Sequence, residues 1–514
     1  MANATELMQR LDKLNAVGVA LSAERDIGRL VELILCAAKD LVDADAGTLY
    51  LVNGDQLEFE IVRTDTLGIA LGGSTGKRPP MPPIPLHLPD GTPNTSTVVG
   101  CAALLGQTIN IPDAYEAVGF DFSGTRRFDA ANGYRSKSFL TVPMRNHENA
   151  IIGVLQLINA LDAERQIEGF NAEDQQLVES LASQAAIALT NRQLINQLES
   201  LFEALINLIN TAIDDKSPYT GGHCERVPVL TMLLAEATSR VDWGPYQDFQ
   251  MSEKDRYELK IAGLLHDCGK ITTPVHVVDK ATKLETIFDR MTLLDTRFEV
   301  LRRDAEIARL KGELDEPGHA ALLARYADDQ AFLRRANIGG EFMRPEDQER
   351  VRQIAAYGWT DANCQPMPFL SADEVENLSI ARGTLTAAER QVINHHIEVT
   401  IRLLEALPWP KHLLNVPEYA GGHHERMDGK GYPRGLTREQ MSVQARMMGI
   451  ADIFEALTAR DRPYKPGKTL SESLGILARM TRDQHVDADL FEVFVREKVY
   501  LQYAEMFLEP GQID

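Results

Sequence analysis

The sequence predicts a multidomain protein. An N-terminal α+β domain, with an antiparallel sheet and helices, leads through a long coiled-coil linker helix into an all-α C-terminal domain. Three observations predict this. The chain has 514 residues, too many for one ordinary core. Alternating, strand-like apolar patterns fall in the first third. From about residue 172 onward the apolar residues recur mostly at helical spacing.

Residues 6–44 read as helices, with Ile27, Leu30, Val31, Ile34 and Leu35 on one face. Residues 47–63 alternate around Asn53-Gly54-Asp55, which predicts a hairpin. The Pro-rich stretch 79–95 must be a loop or an extended connection. Strands are expected at Ser138–Pro143 and Ile151–Asn159. The order of the pieces GTLYLV, INIPDAY, SFLTVPM, IIGVLQLIN and a closing helix after FNAEDQQLVESLASQAAIAL resembles a GAF domain over residues 16–190. The resemblance implies a sensor for a small ligand or a dimerisation module. Members that bind cyclic nucleotides carry an Asn-Lys, Phe and Asp-Glu set. Asn159, Phe170 and Asp174 match it here, whereas Ala160 replaces the Lys and Gln175 replaces the Glu. Cys101 reads as a buried structural thiol rather than a chromophore anchor.

A single helix is expected over 172–215. In it Leu194, Leu198, Leu201, Leu205, Leu208 and Ala212 recur at alternating spacings of four and three. That is an a/d seam, and a homodimer joined through residues 187–212 is expected from it. Residues 215–510 read as helical, with apolar faces at 227–238, 256–266, 386–406 and 440–458. Residues 281–385 are charged and helix-prone and contain no ligand cluster, so they read as a solvated helical insertion.

The formal charge of -22 argues against long DNA or RNA as a partner, since phosphate backbones call for a basic surface. Five cysteines without a CxxC pair suit a reducing cytoplasm. No signal peptide and no apolar run of about 18 residues is visible, so no membrane span is expected.

The chemistry concentrates in five short motifs: SPYTGGHCERVP with His223, LLHDCGKITTP with His266, Asp267 and Lys270, INHHIEVTIRLLEALP with His395 and His396, AGGHHERMDGKGYP with His423 and His424, and ARMMGIADIFEALTARDRPY with Asp452. Neighbouring helical residues point about 100° apart, so adjacent His-Asp and His-His pairs suit two ions side by side better than one. A carboxylate such as Asp267 can bridge two ions through its two oxygens. Imidazole and carboxylate together favour Fe or Mn, with Ni or Zn as further candidates, over Ca. Two divalent transition-metal ions about 3.5–4 Å apart are expected. His395 and His396 compete for one ligand role, and His396 is preferred. His87, His147, His276, His319, His412 and His485 read as ordinary core or surface residues.

These motifs resemble an HD-GYP domain over about 215–510, with HHERMDGKGYP the most specific stretch. The resemblance implies a cyclic di-GMP phosphodiesterase that yields the linear dinucleotide, pGpG, and in some members GMP. It implies metal ligation by His223, His266, Asp267, His396, His423, His424 and Asp452, and a phosphate contact from Lys270. Ser217 stands where many members have Asp, and the insertion at 281–385 is longer than usual. Arg226 and Arg462 are candidates for orienting the substrate or for salt bridging, and Tyr432 for stacking on guanine or for packing. The glycines of DGKGYPRG permit close approach to a ligand or a partner protein. Two other readings stay open. One is an HD-type phosphohydrolase of another cyclic dinucleotide or nucleotide. The other is a non-catalytic receptor.

Overall fold

The computed structural model describes residues 2–216, 222–340, 342–361, 363, 365–460 and 467–514, with the side chains of residues 2–7 and 9 also outside the description. Ser217, Cys364 and Arg462 therefore lie outside the described residues. The chain divides into two compact units, Met1–Phe202 and Glu203–Asp514.

The first unit opens with α1 (Ala2–Ala23) and α2 (Ile27–Leu41), the latter capped by the Asp26 side chain on the Arg29 amide. The hairpin β1 (Ala44–Asn53) and β2 (Gln56–Thr64) turns where expected. Next come β3 (Ile69–Gly72), β4 (Ile84–Pro85), α3 (Val98–Leu105), β5 (Ile109–Ile111) and α4 (Ser123–Asn132). Strands β6 (Phe139–Arg145), β7 (Ile151–Leu161) and β8 (Ile167–Glu168) follow. The antiparallel sheet runs β3-β2-β1-β7-β6-β5, with β4 beside β2 and β8 beside β7. One face packs on α1, α2 and the start of α5 through Leu30, Ile34, Leu49, Leu155, Leu181 and Leu189. The other face is covered by α3 and its flanking chain, through Tyr50, Leu57, Val99 and Val154. This is the expected α+β domain. Its short β3, β5, α3 and α4 are additions, each too brief to show a period in sequence.

Helix α5 (Ala172–Lys216) is continuous for 45 residues. Ile206, Asn210 and Ile213 form a buried stripe along it. Leu194, Leu198, Leu201, Leu205 and Leu208 lie on its exposed side.

The second unit is helical. Helices α6 (His223–Arg240), α7 (Glu253–Leu265) and the short α8 (Val275–Val278) come first. The inserted segment then holds α9 (Met291–Leu310), α10 (Glu316–Asn337), α11 (Pro345–Ala355), a two-stranded ladder of β9 (Gly358–Thr360) with β10 (Pro366–Pro368), and α12 (Ala372–Leu378). It is not merely a solvated bundle. Leu294, Phe298, Leu301, Leu333, Val351, Phe369 and Leu378 make a core of its own. Its charged composition hides this because each helix contributes only a narrow apolar stripe. The chain then returns through α13 (Ala387–Asn394), α14 (His396–Glu405), α15 (Val416–Gly421), α16 (Val443–Thr458), α17 (Leu470–Arg482), α18 (Ala488–Arg496) and α19 (Val499–Phe507). No helix among the described residues is long and apolar enough to cross a membrane.

Candidate metal centre

The five motifs converge. His223 begins α6, His266 caps the C-terminus of α7, and Asp267 precedes the tight turn Cys268–Thr272. His396 begins α14, His423 and His424 follow α15, and Asp452 lies on α16. Gly269 explains how Asp267 reaches His396. A Cβ on Gly269 would stand 2.0 Å from the His396 carbonyl oxygen and 2.6 Å from the Thr400 amide nitrogen. Only glycine lets the turn lie against α14, where the Gly269 amide donates to Thr400 Oγ1 at 2.9 Å.

Two groups that could each hold a metal ion result: His223 with His266 and Asp267, and His396 with His423 and His424. Asp267 joins them. Its Oδ2 is 3.2 Å from His223 Nε2 and 3.4 Å from His266 Nε2, while its Oδ1 is 3.2 Å from His396 Nε2. Asp452 Oδ1 lies 3.3 Å from His223 Nε2.

The tautomers follow from the outer hydrogen bonds. Nδ1 of His266, His396 and His423 donates to the carbonyls of Gly263, Ile393 and Ala420 at 2.7, 2.5 and 2.6 Å. Each bond spans three residues back along the chain, and each leaves Nε2 bare. Yet His266 Nε2 faces His223 Nε2 at 3.2 Å, and His396 Nε2 faces His424 Nε2 at the same separation. His423 Nε2 and Asp267 Oδ1 are buried without a hydrogen-bond partner. Converging bare nitrogens and an orphaned carboxylate oxygen are costly unless a cation satisfies them. The donor set therefore fits metal ions.

Charge agrees with geometry. Burial pushes the His266 imidazole down to about 4 and also lowers His423 and His424, so all three are neutral donors at neutral pH. Burial opposes charge on Asp267 as well, but Lys270 and the surrounding imidazoles hold its carboxyl well below the usual range. Lys270 Nζ pairs directly with Asp267 Oδ2. Burial likewise disfavours a charged His223, but Glu455, Asp267 and Asp452 raise it well above an ordinary histidine. The surroundings of His223 favour positive charge.

Of the two competing histidines, His396 enters the cluster. His395 is exposed and pairs with Glu398 at 2.8 Å. Tyr432 packs on the His424 ring, with centroids 4.8 Å apart and planes at 22°. Arg226 forms a salt bridge with Glu455 at 2.6 Å.

Two roles were not readable from sequence. Glu455 Oε2 accepts from His223 Nδ1 and holds that ring in place. Its position three residues after Asp452 on α16 was the available signal. Glu425 clamps the glycine-rich loop by accepting the amides of Arg434 and Leu436 at 2.7 and 2.9 Å. Gly431 lies against this clamp, where a Cβ would come within 2.4 Å of Glu425 Cα. In the first unit the matched GAF residues are occupied structurally. Asn159 Oδ1 accepts the Lys137 amide, Phe170 is core, and Asp174 pairs with Arg10.

Comparison with known proteins places these features. Residues 26–189 match the model of the GAF domain. Residues 220–339 and 371–490 each match a model described as an HD domain. The 3′3′-cGAMP-specific phosphodiesterase 1 of Vibrio cholerae serotype O1 is 43% identical over 81 residues, 16% of this chain and 19% of that protein. The 3′3′-cGAMP-specific phosphodiesterase 3 of the same organism is 24% identical over 279 residues, 54% of this chain and 35% of that protein. A cyclic di-GMP phosphodiesterase of Pseudomonas aeruginosa is 36% identical over 132 residues, 26% of this chain and 31% of that protein. The chain thus spans about a third or less of the length of these relatives.

Proposed function

For a chain that joins a GAF domain to an HD domain, we propose a metal-dependent phosphodiesterase that opens cyclic di-GMP to pGpG, with GMP open as a further product, under control of its GAF domain. One observation carries the reading: Asp267 stands between two groups of converging imidazoles, in which its own Oδ1 and His423 Nε2 are buried without a hydrogen-bond partner. His223, His266, Asp267 and Asp452 would hold one divalent ion, and His396, His423 and His424 with Asp267 the other, Fe or Mn by ligand chemistry. Such ions supply a water ionised at neutral pH and offset charge on the phosphoryl oxygens.

The chain's own groups do the rest. Lys270 holds a positive charge beside Asp267, where it can take a phosphoryl oxygen. Glu455 and Arg226 fix His223 from behind, so Arg226 positions a ligand rather than touching substrate. Tyr432 supports His424 by stacking on its ring, and an aromatic ring at this place could also stack on a guanine.

Regulation follows from α5. Its last turn reaches two ligand-bearing segments. Lys216 Nζ donates to the carbonyls of Lys270 and Ile271, and Asp214 Oδ2 accepts the Gly222 amide, next to His223, at 3.4 Å. A turn or slide of α5 would move both segments together. The ligand of the GAF domain is a small molecule whose chemistry its described residues do not specify. The cytoplasm, where the proposed substrate is made and read, is the expected compartment. The glycine-rich loop also offers a surface for a protein partner.

The 3′3′-cGAMP-specific relatives favour a second reading in which that dinucleotide is the substrate. Anaerobic purification, metal analysis and product identification from both dinucleotides test the proposal. Two metals per chain and linear product are expected, with turnover abolished in Asp267→Ala. Full activity in that variant would remove the assigned site.

A further inference from the structure

Helices α12 and α13 and the bend between them border an open groove of about 530 Å³, in which Arg382, Arg390 and Gln391 are exposed. This volume suits a small ligand or part of a larger one. Its walls carry Arg382, Arg390, Gln391 and Asn394, with Ile380 and Leu385 as apolar surface. Among the described residues Glu376 is the single carboxylate on the wall.

The groove is rigidly built. Lys280 Nζ, itself buried, donates to Asn377 Oδ1 of α12 at 2.7 Å and to both oxygens of Glu389 of α13 at 2.7 and 2.8 Å. Glu389 also closes the capping box of α13 with Thr386. The site is close to the metal ligands. Asn394 ends α13 two residues before His396, and the charge of Arg390 acts on the Tyr432 hydroxyl.

The charge pattern differs from that of most of the inserted segment. The net charge is -22, and most arginines of the inserted segment are paired with carboxylates, as Arg297 is with Glu374 and Arg350 with Asp329. Among the described residues no ion pair involves Arg382 or Arg390; Arg390 Nη2 instead points at the Arg382 carbonyl oxygen, 3.5 Å away. Two arginines without carboxylate partners suit a phosphodiester, which guanidinium recognises through paired N–H donors. Two side-chain amides suit the edge of a base, and the apolar surface suits its face.

We infer that this groove is a subsite for the half of a cyclic dinucleotide that is not being cut. Arg382 and Arg390 meet its phosphodiester, and Gln391 and Asn394 read its base. The inference rests on the phosphodiesterase reading above. It gives the inserted segment a role, because Ile380, Ala381 and Arg382 come from that segment.

The test is the double variant R382A/R390A of the full chain, assayed with cyclic di-GMP, with 3′3′-cGAMP and with bis(p-nitrophenyl) phosphate, which has no second nucleotide. The expected result is a KM for the cyclic dinucleotide raised at least about tenfold. Hydrolysis of the small diester stays within twofold, and R382K/R390K recovers part of the loss. Unchanged KM for both dinucleotides overturns the subsite. So does an equal loss on the small diester, which would mark a damaged metal centre. Calorimetric binding of the dinucleotide separates the two claims. If the wild-type chain turns over neither dinucleotide, the phosphodiesterase reading fails. The groove is then kept only as a binding site for the dinucleotide, if binding weakens tenfold in R382A/R390A, and falls if binding is unchanged.

Discussion

Glu455 Oε2 lies 2.5 Å from His223 Nδ1, and this carboxylate is held in turn by Arg226 at 2.6 Å. The other histidines with an assigned outer bond, His266, His396 and His423, lean on backbone carbonyls, which no substitution can remove. Ligand orientation at His223 is therefore exposed to a single side-chain change. Glu455→Gln keeps the shape and removes the charge that makes His223 a stronger donor. Metal affinity should fall about 10- to 100-fold, the usual cost of losing such an outer partner. Chelator competition with metal quantification checks this, with circular dichroism to confirm folding. Unchanged affinity would mean that the pair is structural only.

Gly269 makes a second, purely steric prediction. Gly269→Ala drives a Cβ to 2.0 Å from the His396 carbonyl oxygen, a backbone atom that cannot swing away. The turn must lift from α14 and carry Asp267 away from His396. Stability should fall by about 1–3 kcal/mol or more, the range for overpacking a tight core contact. Bound metal should fall from two ions toward one, because the shared carboxylate is displaced. Urea denaturation and metal analysis on one sample measure both, and a variant that keeps two ions counts against Asp267 as the bridge.

The uneven legibility of this chain has physical causes. The clustered residues showed in the sequence because packing alone rarely calls for adjacent His-Asp and His-His pairs, whereas a site for metal ions would need many imidazoles and carboxylates. His396 could be favoured over His395, but only burial against Asp267 separates them in space. Glu455 was hidden because one glutamate on an amphipathic helix looks like any solvated residue until its neighbours are known. The long helix was legible from leucine spacing. The core of the inserted segment was not, since Phe298, Leu333 and Phe369 are scattered among charged residues across about seventy positions and meet only after folding.

Lys283 ties the inserted segment to pH. It is buried at 2% exposure and donates to the carbonyls of Leu378 and Ile380 at 3.2 and 2.8 Å. Burial pulls its ammonium group down to about 8, from an ordinary value of 10.5. Between these values the unfolded chain keeps a proton that the folded chain has released. The contribution of Lys283 to stability is therefore least favourable below about pH 8 and improves as pH rises toward 10.5. Thermal unfolding at pH 7.5 and 9.5 should show the wild type gaining on Lys283→Met at the higher pH. A constant difference between the two proteins would refute the shift.

The leucine seam of α5 yields a prediction about assembly. The buried stripe of Ile206, Asn210 and Ile213 already accounts for packing of this helix within the chain. That leaves Leu198, Leu201, Leu205 and Leu208 between 49% and 65% exposed, at the alternating spacing that places leucines in one line. A line of exposed leucines on a helix is stable in water only if a matching surface covers it, and a second copy presents a self-complementary one. Leu198→Glu with Leu205→Glu would place four carboxylates in the seam of such a dimer, where charge is both desolvated and repelled. Sedimentation velocity should show the wild-type chain as a dimer and the double variant at half that mass, with the helical signal retained. Equal masses for the two proteins would show that the leucines serve some other contact.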